Sequence, residues 1–381
     1  MNNTINKKSL IILSTVFAGI NILIIFIAFY NIKNISINIE SMPKCNIVIL
    51  LVLLISCEYI DIIIHELGHF IAGNLVKFKF YSFTIFPFII KNKNKKITLQ
   101  ITDNHGLAGS CIMYPKTFEK LLISLLIYYL GGIGLNFIFI IAYLFLIIYR
   151  VPNMSNVFIK IFFCFLLIVS EFNLIRNTMP SKISGMKSDG SNMLTLISPS
   201  DSNDIDLMEM VISLQLFCGI RPRNINLKIL GNRKIPSYKK FHDFMSLYYF
   251  YHYLDNKDIN KAEACMDIIE ENIDKYTKDA RIDVMCEILY SYSYIKKDIN
   301  KSKEIYIQIS PVLLNDKSTG SFRIQMAYEL YIKKDIIKAL EFGQSGLSLV
   351  NQDEVKGIDI FEKAEIERMI EQISNYSNIF L

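Results

Sequence analysis

Residues 46–76 read NIVILLVLLISCEYIDIIIHELGHFIAGNLV. About 20 mostly apolar residues suffice to cross the hydrocarbon core of a bilayer, and this run is longer than that. Its second half nevertheless carries Glu58, Asp61, His65, Glu66 and His69. Ionisable groups at membrane depth are costly unless a metal, a partner or a polar cavity takes them up. The stretch therefore predicts a helix packed inside a bundle around a functional polar cluster.

Three further segments, residues 9–31, 120–149 and 157–177, are long and apolar enough to span, which makes four in all. The third of the four contains Gly131, Gly132, Gly134 and Asn136, and missing side chains there let another backbone approach. Of 381 residues, 52% are hydrophobic and the mean hydropathy is +0.32, too apolar for an ordinary soluble chain and pointing to a lipid bilayer as partner. The net charge of +5 lies in short lysine clusters beside apolar runs, a topology pattern and not a nucleic-acid-binding stripe. Lys7 and Lys8, the four lysines within 91–96, and Arg176, Lys182 and Lys187 fall on one side of four crossings. By the positive-inside rule both termini are cytoplasmic, in a multi-pass protein of a prokaryotic plasma membrane. Seven scattered cysteines without a CxxC pair suggest neither a disulfide framework nor a cysteine metal site.

His65-Glu66-Leu67-Gly68-His69 has HExxH spacing. Residues four apart share a helix face, so both imidazoles can reach one Zn2+ ion, with Glu66 beside them as a base for a water that zinc has acidified. Asp61, one turn before His65, is placed either to orient its ring or to sit solvated in a cavity. A catalytic zinc site wants a third protein ligand. Asp189 is the natural choice: Pro180 ends the last apolar helix, and a flexible stretch to Ser188-Asp189-Gly190 can fold back, Gly190 permitting close backbone approach. Glu171, within that helix, is the rival. His105, His242 and His252 read as structural.

Two regions flank this core. Between the second and third apolar runs, residues 79–90 and 96–102 alternate like strands, predicting a small β-hairpin within 78–115, with a third short strand at 109–114. After residue 198 the chain is polar and echoes itself. Tyr253-Leu254-Asp255-Asn256-Lys257-Asp258-Ile259 returns as Tyr294-Ile295-Lys296-Lys297-Asp298-Ile299 and as Tyr331-Ile332-Lys333-Lys334-Asp335-Ile336. Such a period predicts stacked helical hairpins similar to tetratricopeptide repeats, presenting a surface to a cytosolic protein partner.

HELGH in an early apolar helix, Gly-Gly-Ile-Gly-Leu-Asn in the next and Asn-x-x-Pro followed by Asp-Gly after the last together resemble the site-2 protease family of intramembrane zinc metalloproteases. The likeness covers residues 46–197. It implies His65, His69 and Asp189 as zinc ligands, Glu66 as general base, and Asn136 and Asn177 lining the cleft or holding substrate. It also implies hydrolysis of peptide bonds in membrane-associated proteins or peptides.

The expected architecture is thus mainly α. An N-terminal helix and loop (1–45) precede a membrane-embedded bundle with a β insertion (46–198), and an α-helical repeat domain follows (199–381). A membrane-anchored helical-repeat adaptor with a vestigial or structural metal site is the alternative. The intact Glu66 speaks against it, because a purely structural site has no use for a base beside its ligands.

Overall fold

A computed structural model describes residues 46–93, 96–101, 108–183, 186–350 and 356–379, together with Gly19, Leu23, Ile24, Phe26, Ile27 and Tyr30. Those six are helical, and the rest of the expected helix over 9–31 lies outside the described residues, as does the turn holding His105. The protein is mainly helical, and the described residues hold one four-stranded and one two-stranded antiparallel sheet. It divides into two compact units, Met1–Asp204 and Ile205–Leu381, the division falling inside the helix Asp201–Phe217.

The first unit is built on α1 (Asn46–Leu75), α2 (Leu121–Tyr149) and α3 (Val157–Thr178), all three long and apolar enough to cross a membrane. Each packs on the other two around Cys57, Ile64, Ile140, Ile147, Leu167 and Leu174. Glycines set the closeness of α1 and α2. A β-carbon on Gly68 would strike the Gly131 carbonyl, and one on Gly131 would strike that of Gly68, so the two backbones meet where only hydrogen fits. Asn156 caps α3 by accepting from the N–H groups of Phe158 and Ile159.

α1 ends in a Schellman motif. Lys77 takes the left-handed conformation, its N–H donates to Asn74 and that of Phe78 to Gly73, which turns the chain sharply into the sheet. The sheet has four strands, β1 (Lys79–Ile85), β2 (Phe88–Lys93), β3 (Lys96–Ile101) and β4 (Gly109–Tyr114), in the order β3-β2-β1-β4. The insertion is therefore larger than a hairpin. The expected strand over 79–90 is two strands, because Pro87 has no N–H for a ladder and the chain reverses at Phe86-Pro87, pairing Ile85 with Phe88. Apolar alternation runs on through that turn, which hides it in the sequence. After α3, the two-residue strands β5 (Lys182–Ile183) and β6 (Met186–Lys187) pair before α4 (Asp189–Ile197), and α5 (Asp201–Phe217) follows.

The second unit stacks helices α6 (Asp243–Asp255), α7 (Ile259–Glu271), α8 (Lys278–Tyr290), α9 (Ile299–Leu313), α10 (Thr319–Ala327), α11 (Ile336–Val350) and α12 (Gly357–Ile379). The sequence echo has a local cause. Lys257, Lys297 and Lys334 each adopt positive φ, and the following Asp258, Asp298 and Asp335 accept from the backbone N–H groups of Lys261, Lys301 and Lys338. Each copy is thus a helix stop joined to an N-cap. The small residues Ala262, Ser302 and Ala339, on the next helix turn, are fully buried where paired helices meet. Inside the stack, Arg323 is wholly buried. It ion-pairs with Glu287 and Glu362 and stacks 4.0 Å from the Tyr290 ring centroid.

Candidate metal centre

His65 and His69 lie one turn apart on α1 with their Nε2 atoms 3.2 Å apart. Asp189, the first residue of α4, brings Oδ2 to 3.0 Å from His65 Nε2 and 3.2 Å from His69 Nε2. Three bonds of zinc length, about 2.0–2.1 Å in tetrahedral array, would hold their donor atoms about 3.3 Å apart. The observed triangle is close to that. Asp189 Oδ2 is also buried and makes no well-formed hydrogen bond, although it faces two imidazole nitrogens, which is the arrangement of acceptors converging on a cation. These three residues form a group that could hold a metal ion.

His69 and Asp189 are each oriented from behind. His69 Nδ1 donates to the Tyr128 carbonyl at 2.8 Å, which leaves the Nε2 lone pair for a metal. The side-chain amide nitrogen of Asn177 lies 3.4 Å from His65 Nδ1. Asp189 is held by Ser188, whose hydroxyl donates to the Met179 carbonyl and accepts from the N–H groups of Ser181 and Ser191. These bonds, with the pairing of β5 and β6, tie the described residues 179–183 to 186–188, where the sequence suggested a loose stretch. Gly190 meets the Thr178 carbonyl so closely that no β-carbon fits between them. Burial raises the Asp189 carboxyl, but the two imidazoles beside it outweigh that and hold it down at about 2, so it is ionised at neutral pH.

Glu66 is buried next to the triad and accepts a backbone hydrogen bond from Cys111 of β4. Gly109 lies against it: a β-carbon there would stand 3.0 Å from Glu66 Oε1. A cavity of about 410 Å³ opens onto His65, Glu66, His69 and Asp189 and is walled by β4, Tyr129, Asn173 and Asn177.

The remaining expected residues fall into different places. Asn177 lines the cavity, whereas Asn136 is fully buried and reaches Asp61 Oδ2 at 3.4 Å. Asp61 makes no hydrogen bond to His65 among the described residues and lies buried at the cavity wall. Ser170 donates to its Oδ1 at 2.5 Å and Asn173 to its Oδ2 at 2.8 Å, so it ties α1 to α3 and, through Asn136, to α2. Glu171 is buried, and among the described residues its carboxylate makes no hydrogen bond and does not join the candidate metal cluster. His242 and His252 stand in the second unit, where His252 Nδ1 donates to the Pro222 carbonyl, a structural contact. Tyr128, Ser170, Asn173 and Ser188 were not singled out from sequence. Of these, only Ser188 carried a signal, a serine directly before an acidic residue at a helix start.

No family model matches the chain, and neither a curated protein nor a solved structure does.

Proposed function

We propose that this chain is a zinc metalloprotease of the site-2 type, hydrolysing peptide bonds of membrane proteins or membrane-associated peptides. The observation that carries the reading is the convergence of His65, His69 and Asp189 on one point with Glu66 on the same cavity wall, all next to helices able to span a bilayer. The two-nitrogen, one-carboxylate donor set suits zinc and leaves a position open, as catalytic sites do. Zinc, when bound, supplies Lewis-acid polarisation and an acidified water.

The chain's own groups do the rest. His65, His69 and Asp189 hold the ion, and Tyr128 keeps the His69 imidazole in the metal-binding tautomer. The Glu66 carboxylate takes a proton from the attacking water and can return it to the leaving nitrogen, while the Cys111 N–H holds it in place. Strand β4 ends the sheet and its residues 109–111 wall the cavity, so an extended peptide laid along that wall passes beside Glu66. The stacked helical hairpins of the second unit recruit a protein partner or substrate from the cytosol.

The test compares membrane proteins and peptides of cells carrying the wild type with those of cells carrying Glu66→Gln. A membrane-linked precursor accumulating in the variant, with loss of its shortened product, is the expected result. An unchanged set under several growth conditions favours the membrane-anchored adaptor instead.

A further inference from the structure

One to two turns before His65 on α1, the three long helices share a second polar cluster of Glu58, Asp61, Asn136, Ser170 and Asn173. Asn173 sets its side-chain NH2 group between the two carboxylates, 3.0 Å from Glu58 Oε2 and 2.8 Å from Asp61 Oδ2. Two hydrogens on one planar nitrogen diverge by about 120°, which places those oxygens about 5 Å apart.

Hydrogen bonds from amides and a hydroxyl leave both negative charges in place. Among the described residues neither carboxylate makes an ion pair, and Arg176, one turn on from Asn173, pairs with neither. A metal at the triad is already opposed by Asp189 and Glu66. Asp61, at 1% exposure, and the half-buried Glu58 are thus two uncompensated charges on a helix long and apolar enough to span a membrane, a costly state without a cation.

Two further oxygens point to what is bound. Oδ1 of Asn136 and Oδ1 of Asn173 are buried and accept no hydrogen bond, on side chains with 0% and 1% exposure. An amide oxygen is fixed about 2.3 Å from its own nitrogen, so that of Asn173 lies within about 5 Å of both carboxylates and that of Asn136 within about 6 Å of Asp61. Buried acceptors without a donor call for a water or an ion. Carboxylate and amide oxygens are the ligands that hard cations take, and bonds of about 2.3–2.6 Å let one ion bridge oxygens about 5 Å apart. Asp61 and Asn173 also line the cavity, which gives an ion a route from water.

We propose that Glu58, Asp61, Asn136 and Asn173 bind a hard, oxygen-seeking cation that clamps α1 to α2 and α3 beside the metal centre. Two carboxylates balance a divalent charge, and the span suits Ca2+ better than the shorter bonds of Mg2+. The site is independent of whether the metal centre cuts peptides.

The experiment follows thermal unfolding of the full chain, loaded with zinc in detergent, as Ca2+, Mg2+ or Na+ replaces N-methylglucamine at constant ionic strength. Ca2+ should raise the midpoint saturably, by about 5–10 °C at a hundredfold excess over its dissociation constant. Elemental analysis should then find one such ion per chain besides zinc. A saturable rise with Mg2+ or Na+ instead assigns the same site to that ion.

Glu58→Gln keeps an acceptor for Asn173 and removes one charge. It should weaken cation binding by about tenfold or more at unchanged zinc content, since affinity follows ligand charge, and in N-methylglucamine alone it should be no less stable than the wild type. A glutamate that only packs would instead lower stability in every salt. Equal midpoints in all salts, a rise that Glu58→Gln retains in full, or stabilisation of the wild type by acid alone overturns the proposal. Should Glu58→Gln fail to fold, the ion count of the wild type decides, and zinc alone overturns it.

Discussion

Gly132 of α2 lies so close beneath two imidazoles of α1 that a β-carbon there would stand 2.6 Å from His69 Nε2 and 2.9 Å from His65 Nε2. Both are below any ordinary carbon–nitrogen contact, and an imidazole whose Nδ1 is tethered to Tyr128 has little room to retreat. Gly132→Ala should therefore lower metal affinity by about 10–100-fold, the range seen when a ligand's supports are disturbed, with the helical content kept. Metal analysis after dialysis against graded chelator, alongside circular dichroism, reads both quantities.

Replacing Asp189 by Ala should abolish stoichiometric metal binding, because it removes one of three converging donors. Glu171→Gln should leave the metal in place, since that carboxylate stands outside the cluster. Metal retention in the Asp189 variant, or its loss in the Glu171 variant, would reverse the ligand assignment.

Asp61 joins three helices through Ser170, Asn173 and Asn136, and its removal leaves the Asn136 amide without this acceptor and Asn173 with Glu58. Asp61→Ala is expected to destabilise the first unit by about 2–4 kcal/mol. Adding Asn173→Ala should cost clearly less than the sum of the two single changes, because the pair shares one interaction. Thermal unfolding in detergent of the four proteins in the cycle gives the coupling, and strict additivity would contradict the contact.

In the second unit, burial pushes the Glu362 carboxyl up to about 7, with Arg323 opposing and Glu287 adding to the rise. A carboxyl raised on folding binds its proton more tightly in the native state, so its stabilising contribution is whole below about 4.5 and is lost as pH rises through about 7. Hydrogen exchange across Thr319–Ala327 should accordingly quicken, beyond the intrinsic pH effect, between those values. Glu362→Gln should flatten the trend. Arg323→Ala should instead raise exchange at every pH, by an opening free energy lower by about 3–5 kcal/mol, because it strands two carboxylates in the interior.

What the sequence alone determined is what local geometry dictates. Apolar runs of spanning length must shelter their backbone in helices, and two histidines four apart must share a face. A repeated Lys-Asp-Ile must make the same helix stop and N-cap each time, as Lys297 with Asp298 and Lys334 with Asp335 do.

Only the tertiary structure brought Asp189, and not Glu171, beside the two histidines, turned Asn136 to Asp61 instead of the cavity, and divided residues 79–90 into two strands. Each of these depends on contacts between residues far apart in the chain: Gly190 against Thr178, the amides of α2 and α3 against α1, and β4 against β1. A polar side chain takes whichever partner packing brings within about 3 Å, and periodicity carries no record of that partner.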